Sequence, residues 1–138
     1  MGDPKNYISP DVVVVATGST WSKSGYSPYR ADRENIPGAE SEHVIGVDSA
    51  AERVLIDPAS LGKRVLILDE STMYLPLGVA EVLAENGVEV QIVSPHFFVG
   101  SDALKTMDLF HIYPRLKQNG VELSSQHFVA VSYTHLTL

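Results

Sequence analysis

The chain has no cysteine among its 138 residues. Disulfides, thiolate-held iron-sulfur clusters and cysteine nucleophiles are therefore excluded from this segment, and the absence suits a reducing compartment, so a cytoplasmic location is expected. Basic charge is scarce as well. Ten Lys and Arg stand against 17 Asp and Glu, a formal net charge of −7. Nothing supplies the basic stripe that neutralises a phosphate backbone, so nucleic acid is excluded as a partner. Long apolar runs are missing: no stretch approaches the roughly 20 residues that span a bilayer, and residues 1–10 lack the basic start and apolar stretch of a secretory signal. No membrane partner is expected. His43, His96, His111, His127 and His135 show no close ligand spacing, so no metal site is expected. Ser71 and Ser94 lack the surroundings of an activated serine and read as cap and turn residues.

What is present describes a globular protein with a real core. The hydrophobic fraction is 44%, the charged fraction 20% and the mean hydropathy +0.03. A chain of this length buries about two-thirds of its unfolded surface. Asp11 to Gly18, DVVVVATG, packs four valines and then stops at small residues, the pattern of a strand buried on both faces of a parallel sheet. From Ser19 to Ser60 the pattern dissolves into Gly, Pro, Ser, Asp and Asn; Val44 to Val47 hints at a strand and Asp48 to Leu55 at a short helix. So long an irregular stretch reads as a crossing between domains.

The signal then sharpens. Val65 to Leu68 is a second buried strand ending at Asp69. Ser71 or Thr72 can cap a helix that tolerates Pro76 in its first turn, buries Val79, Val82, Leu83 and Asn86, and stops at Gly87. Val88 to Val93 is the next strand. Strand, helix, glycine and strand in so short a span form a βαβ unit, whose right-handed crossover makes the two strands parallel neighbours. Asp102 to Asn119 reads as another helix with Leu104, Met107, Leu109 and Leu116 inward, and Val121 to Leu123 and Phe128 to Val131 as short strands. The fold class expected is α/β: an incomplete Rossmann-like parallel sheet of the FAD/NAD(P)-binding kind with flanking helices. The last residues break the pattern. VSYTHL, Val131 to Leu136, back-translates to a transposon-end tag used in sequencing libraries, so 131–138 is expected to be a non-native tail; a genuine strand with Tyr133 and His135 on one side is the alternative.

DVVVVATGSTW, NIPGAE, GKRVLILDESTMYLPLGVAEVLAENGVEVQIVSP and HIYPRLKQNGVEL, in this order and spacing, resemble the C-terminal half of the trimethylamine dehydrogenase and dienoyl-CoA reductase group of old yellow enzyme type flavoproteins. The resemblance covers residues 10 to 130. It implies a long parent: a barrel carrying FMN and substrate, a cysteine cluster holding a 4Fe-4S centre, and two Rossmann-like domains. Residues 1–20 would then be the terminal strand of an FAD- or ADP-binding domain, 21–61 an inter-domain linker and 62–130 a domain of the NAD(P)H type. The resemblance also implies that Ala16, Thr17 and Gly18, with Trp21 near them, contact FAD or ADP in the intact protein; the residues alone read equally as a strand end turning into a loop. The catalytic parts would precede residue 1, so the expected function is that of a nucleotide-domain fragment of an amine dehydrogenase or enoate reductase, not catalytic alone. Its expected partners are a nucleotide and the preceding domains of the parent.

NADH or NADPH binding in 62–130 is not expected. Pyrophosphate needs glycines between the first strand and its helix, so that backbone N–H groups can reach it. The chain offers Asp69-Glu70-Ser71-Thr72-Met73-Tyr74-Leu75-Pro76-Leu77-Gly78, with one glycine, bulky side chains and two carboxylates. Val93-Ser94-Pro95-His96 lacks the acidic residue that would hold the adenine ribose. Two rival readings are a receiver-like signalling module, with Asp69 and Glu70 on Mg²⁺, and a scaffold domain that binds no nucleotide. The receiver reading requires a phosphoacceptor aspartate on a third strand, and Val121 to Val131 contains none.

Overall fold

A computed structural model describes residues 11–15, 18 and 20–129. Three parallel strands, β1 (Arg64–Leu68), β2 (Glu89–Ser94) and β3 (Glu122–Ser125), form a sheet in the order β1-β2-β3. The register runs from Arg64 opposite Glu89 to Leu68 opposite Val93, and from Gln91 opposite Glu122 to Ser94 opposite Ser125. Three helices accompany it: α1 (Val47–Ile56), α2 (Tyr74–Glu85) and α3 (Leu109–Gln118). Single 3-10 turns occupy Pro28–Arg30, Pro58–Leu61 and Ser101–Leu104. Among the described residues no helix is long and apolar enough to cross a membrane.

Side-chain alternation decides which face of the sheet is covered. Val65, Ile67, Val90, Ile92 and Leu123 share one face, and they join a single core with Ala50 and Val54 of α1, Leu77, Val79, Ala80 and Leu83 of α2, and Leu109 and Leu116 of α3. All three helices therefore lie on one side. On the opposite face Gln91 donates to the Glu122 carboxylate and the Ser124 hydroxyl, both at 2.9 Å, and Leu66 is 55% exposed.

The βαβ unit forms as the sequence predicts, and so do β3 and α1. Helix α2 ends where the glycine signal places its end: Gly87 takes φ +79°, and Val88 N–H returns to Leu83 C=O at 3.1 Å. Its start differs. Neither Ser71 nor Thr72 caps it; Met73 is the N-cap and supplies no side-chain bond, because Thr72 stands at φ +59° with its N–H turned to Asp69.

Four other expectations are corrected. The helix expected from Asp102 to Asn119 is broken: Thr106 Oγ1 donates to Ala103 C=O at 3.2 Å, Asp108 N–H to the same carbonyl at 2.9 Å, and Met107 reaches φ +66°. Ala103 is consequently the buried residue, while Leu104 and Met107 face outward. No strand forms over Val44 to Val47, where Val47 already belongs to α1, and Phe128 and Val129 are not in the sheet. Asp11 to Val15 join no strand either, and Val12 to Val15 are 71–85% exposed. Ala130, Val131 and the tail through 138 lie outside the described residues.

Candidate functional site

In a parallel α/β sheet the carboxyl ends of the strands are where ligands gather. Here that edge is organised by one carboxylate. Asp69 follows β1, its N–H extending the ladder to Val93 C=O at 2.8 Å, and its side chain is completely buried. Oδ1 accepts the Thr72 N–H at 2.8 Å and the Ser71 hydroxyl at 3.2 Å; Oδ2 accepts the Gly100 N–H at 2.8 Å. Thr72 C=O in turn accepts the Asp102 N–H at 3.0 Å. The turn after β1 and the loop after β2 are thus laced together through Asp69. Gly100 is required for this: it sits at φ +63°, and a Cβ there would overlap the Leu77 side chain. An anion already occupies the approach to the start of α2, where a dinucleotide domain receives its pyrophosphate.

The segment before α1 straps over the same edge. Ile36 N–H donates to Ser24 C=O at 2.9 Å, and the Ser27 hydroxyl caps Tyr29 N–H at 3.3 Å. Tyr29 stands edge-on to His96 with ring centroids 5.6 Å apart, its hydroxyl 3.5 Å from Nδ1, and packs on Phe128 at 6.0 Å. Beneath it a cavity of about 20 Å³, bordered by Ser27, Arg30, Arg33, Glu70 and Phe128, has room for a water-sized guest and not for a nucleotide. Among the described residues no group of three or more His, Asp or Glu is placed to hold a metal ion.

Glu70 lies under the strap. Burial raises its pKa above the ordinary carboxylate value; a hydrogen bond with Ser27 and the nearby His96 pull it back, and the Asp69 charge adds to the rise. A carboxyl whose folded pKa exceeds its unfolded one contributes stability below the unfolded value, and that contribution is lost as pH rises through the folded value. The Glu70→Gln variant is expected to lose this part of the acid-side profile. Thermal unfolding from pH 4 upward should fall less steeply than in the parent chain, and an identical slope would contradict it.

Of the residues singled out for FAD or ADP, Gly18 and Trp21 are among those described. Gly18 takes φ +80° with nothing within 4 Å of where a Cβ would stand. Trp21 is 38% exposed and borders a groove beside β1. Ala16 and Thr17 lie outside the described residues. Sequence reasoning missed the strap, whose one local signal is Ser27 before Pro28, a capping residue followed by proline.

Residues 49–135 match the family model of the OYE-like second alpha/beta domain. The chain belongs to this family. The OYE-like second α/β domain is 33% identical over 84 residues to dimethylamine dehydrogenase of Hyphomicrobium sp. (strain x), covering 59% of this chain and 11% of that protein. Its fold superposes on an amine oxidase for 6-hydroxypseudooxynicotine from Pseudomonas geniculata N1 with a TM-score of 0.69 and 25% identity, over 89% of this chain and 18% of the other. Histamine dehydrogenase from Rhizobium sp. 4-9 gives a TM-score of 0.62 at 23% identity, over 84% of this chain and 17% of its own, a likeness of fold. The chain thus spans less than a fifth of the length of each of these relatives.

Proposed function

We propose that this OYE-like second α/β domain is the non-catalytic partner domain of a flavin-dependent oxidoreductase of the amine dehydrogenase or enoate reductase type, and that it serves as a scaffold without taking NADH or NADPH. The carrying observation is the buried Asp69 carboxylate, which consumes the Thr72 N–H in the turn where a pyrophosphate would sit and ties that turn to Gly100 N–H. The relatives favour amine oxidation over alkene reduction, since the matched proteins are named for dimethylamine, an amine oxidase reaction and histamine. On this reading FMN and a 4Fe-4S centre belong to other parts of the parent, as the chain has no cysteine to hold a cluster. Ala16, Thr17, Gly18 and Trp21 contact FAD or ADP only when the rest of their sheet is present, the parent's other domains are the partners of this one, and the setting is cytoplasmic.

The receiver reading has nothing to rest on, because Asp69 faces Thr72, Ser71 and Gly100 rather than an exposed cation position. Calorimetric titration of the chain with NADH, NADPH, ADP and FAD tests the proposal. No heat of binding is expected from NADH or NADPH. Micromolar binding of either would overturn the reading of Asp69 and make this a working dinucleotide domain.

A further inference from the structure

The four residues Asn-Gly-Val-Glu occur twice, at Asn86 to Glu89 and at Asn119 to Glu122, each time leading from a helix into the next strand. Asparagine before glycine is prone to lose its side-chain amide. The glycine nitrogen attacks the Asn Cγ, an approach that the missing glycine Cβ leaves open. A C–N bond forms, ammonia leaves and a cyclic imide results; water then opens the ring to aspartate or isoaspartate.

The fold holds both sites in the same unreactive form. Asn86 has ψ 17° and Asn119 ψ 6°, which keeps each glycine nitrogen turned away from the side-chain carbonyl. Both glycine N–H groups are also engaged, Gly87 on Ala84 C=O at 3.0 Å and Gly120 on Lys117 C=O at 3.1 Å. Reaction therefore waits for the last helical turn to open. The two turns are not equally secured. Asn86 Nδ2 donates to Val82 C=O at 2.8 Å, which ties down the amide that must react, whereas among the described residues no such bond holds the Asn119 amide. Helix α2 is anchored by buried Leu77, Val79, Ala80 and Leu83. Helix α3 buries Leu109 and Leu116 and contains Pro114, whose missing N–H leaves Phe110 C=O without its helical donor.

We propose that Asn119 is the chain's first site of spontaneous deamidation, made reactive by the loosely secured end of α3, and that Asn86 is spared. Exposure by itself points the other way, since Asn86 is exposed and Asn119 half-buried, so the two explanations separate. The product carboxylate stands at the C-terminus of α3, where the helix carbonyls already present negative partial charge, and isoaspartate adds a main-chain carbon just before β3. The inference goes beyond the scaffold role and is independent of nucleotide binding.

Timed incubation of the folded 138-residue chain at mildly alkaline pH, read by peptide mass spectrometry, tests it, with the chain in urea as the unfolded reference. Folded, Asn119 is expected to convert roughly tenfold faster than Asn86, the combined effect of one hydrogen bond and an easier opening. In urea the two should react at like rates, because Gly-Val-Glu follows each. Pro114→Ala, with circular dichroism to verify folding, restores the helical donor and should slow Asn119 alone, by roughly fivefold. Three outcomes would overturn the proposal: a folded chain that converts Asn86 as fast as Asn119 or faster, a folded chain inert at Asn119 while the unfolded one reacts, or a folded Pro114→Ala variant whose Asn119 converts at the parent rate.

Discussion

Replacing Asp69 by alanine is expected to destabilise the domain by about 3 kcal/mol, lowering its melting temperature by roughly 10 °C. The carboxylate is fully buried and accepts from Thr72 N–H, Gly100 N–H and the Ser71 hydroxyl. The hydroxyl can turn elsewhere, whereas the two backbone donors are fixed by the turns that carry them. Each buried donor left without an acceptor costs about 1–3 kcal/mol, partly offset because a charge no longer has to be desolvated. Asp69→Asn keeps one acceptor oxygen and should cost about half as much. Equilibrium denaturation of both variants checks the order; an alanine variant within about 0.5 kcal/mol of the parent would mean that water replaces the carboxylate at no loss. Neither variant should gain NADPH binding, because Met73 and Tyr74 still stand where glycines are needed.

Gly100→Ala is expected to cost about 2–4 kcal/mol, for two separable reasons. The backbone is left-handed at φ +63°, and the new methyl would overlap Leu77, itself 2% exposed in the middle of the core. Gly87 supplies the control. It is also left-handed, at φ +79°, but nothing lies within 4 Å of its Cβ position. Gly87→Ala should therefore show the conformational cost alone, about 1 kcal/mol. The excess at Gly100 measures the resistance of the Leu77 packing, and equal costs at the two positions would show that Leu77 moves aside freely. Because Gly100 N–H also serves Asp69, its effect and that of Asp69→Ala should be less than additive.

How far the candidate site was legible follows from the sequence separation of its parts. Asp69 and the glycine-poor turn are adjacent in the chain, so the obstacle to a pyrophosphate was visible in the residues themselves. Its physical form was not. A reading of the sequence treats Asp69 as a charge that repels phosphate, whereas in the fold it is the internal acceptor for Thr72 N–H in that turn and for Gly100 N–H, 31 residues away. The strap was hidden for the same reason: Tyr29 and His96 are 67 residues apart, and nothing in either segment announces the other.

Local pattern by itself determined the βαβ unit of β1, α2 and β2, its stop at Gly87, the third parallel strand and the short helix α1, because hydrophobic periodicity and glycine punctuation act over a few residues. The resemblance carried by the ordered blocks likewise led to the family. Tertiary structure decided what depends on partners distant in sequence. It broke the helix at Met107, where Thr106 and Asp108 both claim the Ala103 carbonyl, and it buried Ala103 in place of Leu104. It also left the four valines outside the sheet of the described residues, 71–85% exposed, because β-branched residues favour a strand without specifying which strand they pair with.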